Sequence, residues 1–168
     1  MRTLLTFRLD LRLARRPLVA FIGLLALTSC FNLNVDGPSI PSSQPSDPAT
    51  ETFSPSLGVD LSKMQRTPSG VYYKDGPLGS GATLNGLGTI VISFIGYLKT
   101  GAVIQQGTNV QIILGNEIRG LQEGMQGMHE GGERLLVIPS ALGFGASGSG
   151  PVAPNSTLVY DVILKIIP

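Results

Sequence analysis

The stretch from Ile118 to Pro139 limits what this chain can fold into more than any other part of it. Leu121, Met125 and Met128 recur at i, i+4 and i+7, the period of a helix with one buried face. The Gly131-Gly132 pair breaks that period, and Leu136 and Ile138 then alternate as strand residues do. A short helix therefore passes through one turn straight into a sheet. Val71-Tyr72-Tyr73-Lys74 reads as a short strand before the glycine-rich turn at 76–81. Ile90, Ile92 and Phe94 share one face of a strand, with Val91, Ser93 and Ile95 on the other and Gly96 as a bend or bulge. Val110, Ile112 and Leu114 repeat the alternation, and Leu158, Tyr160, Val162, Leu164 and Ile166 mark the longest strand. Several strands with one helix among them predict an antiparallel α+β domain whose helix covers one sheet face.

That domain needs only the region from about Thr67 to Pro168, so the N-terminal third calls for a separate account. Arg2, Arg8, Arg12, Arg15 and Arg16 precede an apolar run from Leu18 to Leu27. The run is shorter than the ~20 residues of a membrane-spanning helix and suits the core of a signal peptide. It ends in Leu27-Thr28-Ser29-Cys30, and Cys30 is the only cysteine, so no internal disulfide forms. Small residues before a lone cysteine resemble the bacterial lipobox. Residues 1–29 are expected to be a lipoprotein signal peptide, with Cys30 acylated and the protein exported and lipid-anchored to a bacterial cell envelope. More than one acyl chain is needed for stable anchoring. Lipid is the only contact with a membrane that this reading requires.

Residues 30–66 are rich in Pro, Ser, Asp and Asn, with Pro38, Pro41, Pro45, Pro48 and Pro55 spread along them and no sustained apolar period. They are expected to form a disordered tether reaching on the order of 30–35 Å or more. Five of the 12 basic residues lie before Cys30, which leaves seven basic against ten acidic groups in the remainder. No basic patch is left for a phosphate backbone, so nucleic acid is not an expected partner.

Several motifs in order resemble the FKBP-type peptidyl-prolyl cis–trans isomerases, the macrolide-binding immunophilin family. They are Thr67 to Tyr73, Phe94 to Gly101, Gly120 to Gly124, Gly127-Met128 with Gly131-Gly132, Ile138-Pro139, Phe144-Gly145 and Pro154 to Leu158. The resemblance implies an FKBP-like curved antiparallel sheet wrapped around one short α-helix over residues 67–168. It also implies a peptidyl-prolyl isomerase whose partners are proline-containing polypeptides; joined to the expected export, this gives a role in the folding of exported proteins, with a monomer expected in the absence of a coiled-coil pattern. Rotation about an X–Pro bond breaks no bond, so neither metal nor cofactor is required. A shaped apolar pocket that desolvates the imide is enough.

Matched position by position, the resemblance gives Phe94, Gln105, Ile118 and Phe144 as catalytic. It gives Ile104, Val110, Leu121, Val152 and Tyr160 as substrate-binding. The main-chain N–H of Ile118 would meet a substrate carbonyl. The chain departs from the family pattern at several of these places. Leu121 replaces a usual Trp, Phe94 and Phe144 replace usual Tyr, Ile104 replaces Phe, and Gln105 replaces Asp. The loop between Leu114 and Gly120 is also about two residues short. Each lost hydroxyl removes a bond that typically contributes ~0.5–1.5 kcal/mol. Reduced isomerase activity and weak macrolide binding are therefore expected. A non-catalytic peptide-binding module or chaperone on a degenerate FKBP fold is the alternative.

Three further features read as background. Gly143 to Gly148 fits G-x-G-x-x-G, but Pro151 and Pro154 follow in place of a helix. Asn155-Ser156-Thr157 fits a glycosylation sequon that a bacterial cell normally leaves unread. Glu117, Glu123, Glu130 and Glu133 read as a solvated acidic edge, and His129 as a solvated turn residue.

Overall fold

A computed structural model of the chain describes residues 44–168. Among these residues six antiparallel strands form one sheet. They are β1 (Gln65–Arg66), β2 (Tyr72–Asp75), β3 (Thr89–Leu98), β4 (Val103–Ile113), β5 (Glu133–Ile138) and β6 (Leu158–Ile166), in the order β1-β2-β5-β6-β3-β4. The only α-helix among the described residues is α1 (Arg119–Gly124). The expected α+β architecture is the observed one.

The opening segment folds as its period demands, with one adjustment. Leu121, Met125 and Met128 are all buried. The regular helix nevertheless stops at Gly124, and Met125 and Met128 are carried inward by the following turns. They join Leu84, Ile90, Ile92, Leu114, Leu136, Ile138, Leu158, Tyr160, Val162 and Leu164 in a single core between α1 and the sheet. Close approach of helix to sheet depends on glycine. A Cβ on Gly120 would lie 2.2 Å from Cγ2 of Ile138, and one on Gly124 would lie 2.7 Å from Cδ2 of Leu136.

A buried arginine pins the far end of the helix. Arg134 on β5 donates from Nε to Asp75 at 2.6 Å and from Nη1 to the carbonyls of Gly124 and Gln126 at 2.7 and 2.9 Å. Its guanidinium also lies 4.6 Å from the centre of the Tyr73 ring. Carbonyls at a helix C-terminus lack intrahelical partners, and a cation there satisfies them while complementing the helix dipole.

Residues 44–66 differ from the disordered tether expected of them. Pro48–Thr50, Pro55–Leu57 and Leu61–Lys63 are 3-10 turns. Asp47 and Asp60 cap the first and third by accepting backbone N–H bonds. The segment is tied to the sheet in several places. The N–H of Ser46 donates to Oγ of Ser140, the N–H of Ser140 donates back to Oγ of Ser46, and Thr157 Oγ1 donates to the same Ser46 oxygen, all within 2.8–3.0 Å. Glu51 pairs with Lys99 at 2.9 Å, and the N–H of Ser54 donates to the Lys99 carbonyl. Val137 and Val159 pair with each other on the face away from α1 and are nevertheless fully buried. Composition misleads here because short capped turns need no hydrophobic period. Cys30 and the expected signal peptide lie outside the described residues.

Candidate functional site

The site face of the sheet is set by two irregularities in the β3–β4 pairing. Ile92 pairs with Val110, but Phe94 pairs with Gly107, so two residues of β4 oppose Ser93 alone. Asn109 takes up the extra residue with φ of 51°, and its N–H donates to Oγ of Ser93 at 3.0 Å. A bulge of this kind exchanges the faces of a strand beyond it. The exchange puts Gln105, opposite Gly96, on the same face as Phe94. The second shift falls at Gly96/Tyr97, where the sequence places a bend. Gly96 has to be bare there, since a Cβ would sit 2.9 Å from the Tyr160 ring and 3.3 Å from Gln105 Cγ.

Between this face and α1 lies a cavity of about 130 Å³ lined by Ile92, Phe94, Gln105, Ile112, Glu117 and Leu121. Four of the six are apolar. Leu121, the third residue of α1, reaches it and is almost wholly buried. Phe94 and Tyr160 face each other with ring centres 6.3 Å apart. Gln105 Nε2 donates to the Tyr160 hydroxyl at 2.5 Å. Burial pushes the Tyr160 hydroxyl pKa up to about 12, against the opposing pull of the Gln105 bond and with a smaller upward push from the Glu117 charge. The hydroxyl therefore stays protonated at physiological pH.

Ile118 stands at the N-cap of α1, where its carbonyl accepts from the N–H groups of Leu121 and Gln122. Its own N–H makes no hydrogen bond to another described residue. The side chain is half-buried against the core. A free donor beside an apolar cavity is what a substrate carbonyl needs.

The other expected site residues are placed differently. Ile104 and Phe144 are half-buried and pack on the core from its edge, and Val152 is buried in it, without lining the cavity. Val110 is 38% exposed and lies outside the lining. It belongs to the edge strand, which has no neighbour beyond it to cover a side chain. The glutamates do not form one solvated edge. Glu123 accepts from Ser69 Oγ, Glu130 accepts the Ile167 N–H at 2.5 Å, and Glu117 enters the cavity wall. His129 is half-buried, with Nδ1 3.0 Å from Thr83 Oγ1. Ile92 and Ile112 complete the lining, and their alternation with Phe94 and Leu114 could have marked them. For Glu117 the only signal was its place beside Ile118.

Among the described residues no group of three or more His, Cys, Asp or Glu side chains is arranged to hold a metal ion. No described helix is long and apolar enough to cross a membrane.

Comparison with known proteins agrees with this geometry. Residues 81–165 match the family model described as FKBP-type peptidyl-prolyl cis-trans isomerase. A probable FKBP-type peptidyl-prolyl cis-trans isomerase of Haemophilus influenzae is 35% identical over 111 residues, 62% of this chain and 46% of that protein. An FK506-binding protein of Neisseria meningitidis serogroup B is 38% identical over 85 residues, 46% of this chain and 78% of that protein. The crystal structure of FkpA from Escherichia coli superposes with a TM-score of 0.59 at 30% identity, covering 62% of this chain and 51% of that one. The chain thus spans about half the length of the Haemophilus protein and of FkpA. With its fold, its pocket between helix and sheet and these matches in agreement, the chain belongs to the FKBP-type peptidyl-prolyl cis–trans isomerase family.

Proposed function

We propose that the chain is a peptidyl-prolyl cis–trans isomerase of reduced activity, acting on exported proteins from a lipid anchor at Cys30 on a bacterial cell envelope. The observation that carries this reading is the apolar cavity beneath Phe94 and Leu121, with the unbonded N–H of Ile118 at its side. The barrier to rotation, ~18–20 kcal/mol, comes from amide resonance. Water stabilises the planar, charge-separated amide, so moving the imide into an apolar pocket favours the twisted form. The Ile118 N–H holds the substrate by a carbonyl while the bond rotates. The Tyr160 hydroxyl is buried behind the cavity wall, where it accepts from Gln105 and holds that side chain in place.

Two observations support reduced activity and weak macrolide binding. Phe94 and Phe144 offer no hydroxyl, and the cavity of about 130 Å³ is well below the ~300–1,000 Å³ of sites that enclose drug-sized ligands. The same observations favour, as a second reading, a non-catalytic binding module. A protease-free isomerisation assay on the whole chain with a short proline peptide separates the two. Catalysis above the buffer rate is expected, and a rate equal to buffer at high protein concentration ends the enzyme reading. Lipid anchoring is tested by inhibiting lipoprotein signal peptidase in cells, which should accumulate precursor.

A further inference from the structure

We propose that Glu117 makes this pocket selective for prolyl bonds with a lysine or arginine beside the proline, and selective against acidic neighbours. This rests on the prolyl isomerase reading and names its preferred substrate class.

Glu117 is the only charged residue in the cavity lining; the rest is four apolar side chains and the neutral amide of Gln105. Its backbone is held on both sides. Its N–H donates to the Leu114 carbonyl at 3.1 Å, and its carbonyl accepts from Nε2 of Gln122 at 2.7 Å. The side chain is half-buried and so has lost part of its water. The ion pairs among the described residues are Lys63–Asp60, Lys99–Glu51 and Arg134–Asp75, and none involves Glu117 or its neighbour Arg119. The carboxylate also makes no hydrogen bond to another described side chain. Its charge adds a small upward push to the pKa of the Tyr160 hydroxyl behind the cavity wall.

An unpaired negative charge on the wall of an apolar pocket acts through a lower effective dielectric than a solvated one. It attracts a cation brought in by the substrate and repels an anion. The methylene stem of a lysine or arginine also suits apolar walls while its head reaches the carboxylate.

The test uses two sets of short proline peptides on the whole chain, one varied before the proline and one after it, each with lysine, leucine or glutamate. Both kcat/KM in a protease-free assay and Kd by fluorescence anisotropy are read. At low salt the lysine peptide should exceed the glutamate peptide by about fivefold or more at one of the two positions, with leucine between them. The ratio should fall towards one at 1 M NaCl, as screened charge requires. It should vanish in Glu117→Gln and invert in Glu117→Lys. Equal values for lysine and glutamate peptides at both positions overturn the proposal, as does a preference that survives Glu117→Gln or high salt. The wild-type salt series decides the matter alone if the variants do not fold. Absence of turnover with every peptide would refute the isomerase reading, while the Kd ranking would still decide this one.

Discussion

Gly120→Ala puts two opposed effects of known size in direct competition. In an exposed helix interior the substitution gains ~0.8–1.0 kcal/mol, because alanine loses less backbone entropy on folding. The gain is at the low end here, since Gly120 is the second residue of a helix of only six. Against it stands contact with β5. The new Cβ would meet Cγ2, Cγ1 and Cδ1 of Ile138 at 2.2, 2.9 and 3.0 Å, where carbon atoms prefer ~3.5–4.0 Å. Ile138 is fully buried, and its strand is hydrogen-bonded on both sides, to β2 and β6, so it has nowhere to move. Overpacking costs about 1–3 kcal/mol, and an approach of 2.2 Å puts this site in the upper part of that range, about 2–3 kcal/mol. The net expectation is a loss of about 1–2 kcal/mol, or roughly 3–10 °C in Tm. Urea unfolding followed by circular dichroism measures it. Because α1 also carries Leu121, a helix pushed off the sheet should lower kcat/KM as well. Ile138→Ala removes all three clashing atoms, so the double variant should recover at least about 1 kcal/mol relative to the sum of the single changes. A Gly120→Ala protein as stable as wild type, or more stable, would refute the close-packing argument.

Removing the Arg134 guanidinium by Arg134→Met should cost about 2–4 kcal/mol, because two helix-end carbonyls and Asp75 lose their donor together; adding Asp75→Asn should cost little more, as chemical denaturation will show. Tyr160→Phe should cost about 0.5–1.5 kcal/mol and remove one component from the absorbance titration of the four tyrosines, the one near pH 12. A tyrosine pKa raised on folding makes wild-type stability fall as pH climbs from 10 towards 12, and that slope should be absent in the variant. Asp161 is held above its usual 3.8 by burial and by the charge of Glu133. The folded state therefore binds its proton more tightly than the unfolded state, and stability falls as pH rises from about 3.8 through the raised value. Asp161→Asn should accordingly raise Tm at pH 7, with the advantage disappearing below the usual value.

Hydrophobic period made the core readable in advance because burial acts on one residue at a time. Leu121, Met125, Met128, Leu136 and Ile138 are buried as their spacing requires, and so are Leu158, Tyr160, Val162 and Leu164. Ile166 continues the alternation but is 52% exposed, since the strand runs past the end of the core there. The strap at 44–66 escaped the same reading because its anchors are pairs distant in sequence. Ser46 meets Ser140 and Thr157, and Glu51 meets Lys99. None of these pairings has a signature in local composition, and proline and serine serve capped turns as well as tethers.

The site was harder to read than the core for a related reason: its face depends on one inserted residue. Strict alternation from Val110, Ile112 and Leu114 back along β4 puts Ile104 on the site face and Gln105 behind it. The extra residue at Asn109 reverses that order, which brings Gln105 to the Tyr160 hydroxyl and leaves Ile104 at the core's edge. Asparagine is among the few residues that accept positive φ, so the bulge has a local cause, but G-T-N-V alone does not say where β4 meets Ser93. Glu117 shows the converse. Its charge invites a solvated reading until the turn at Leu114–Asn116 is known to fold it back over Ile112 and Leu121. Family motifs locate the pocket because they record a shared backbone. Glu117 lies outside the motifs that carry the resemblance, so its place on the cavity wall is known only from the fold.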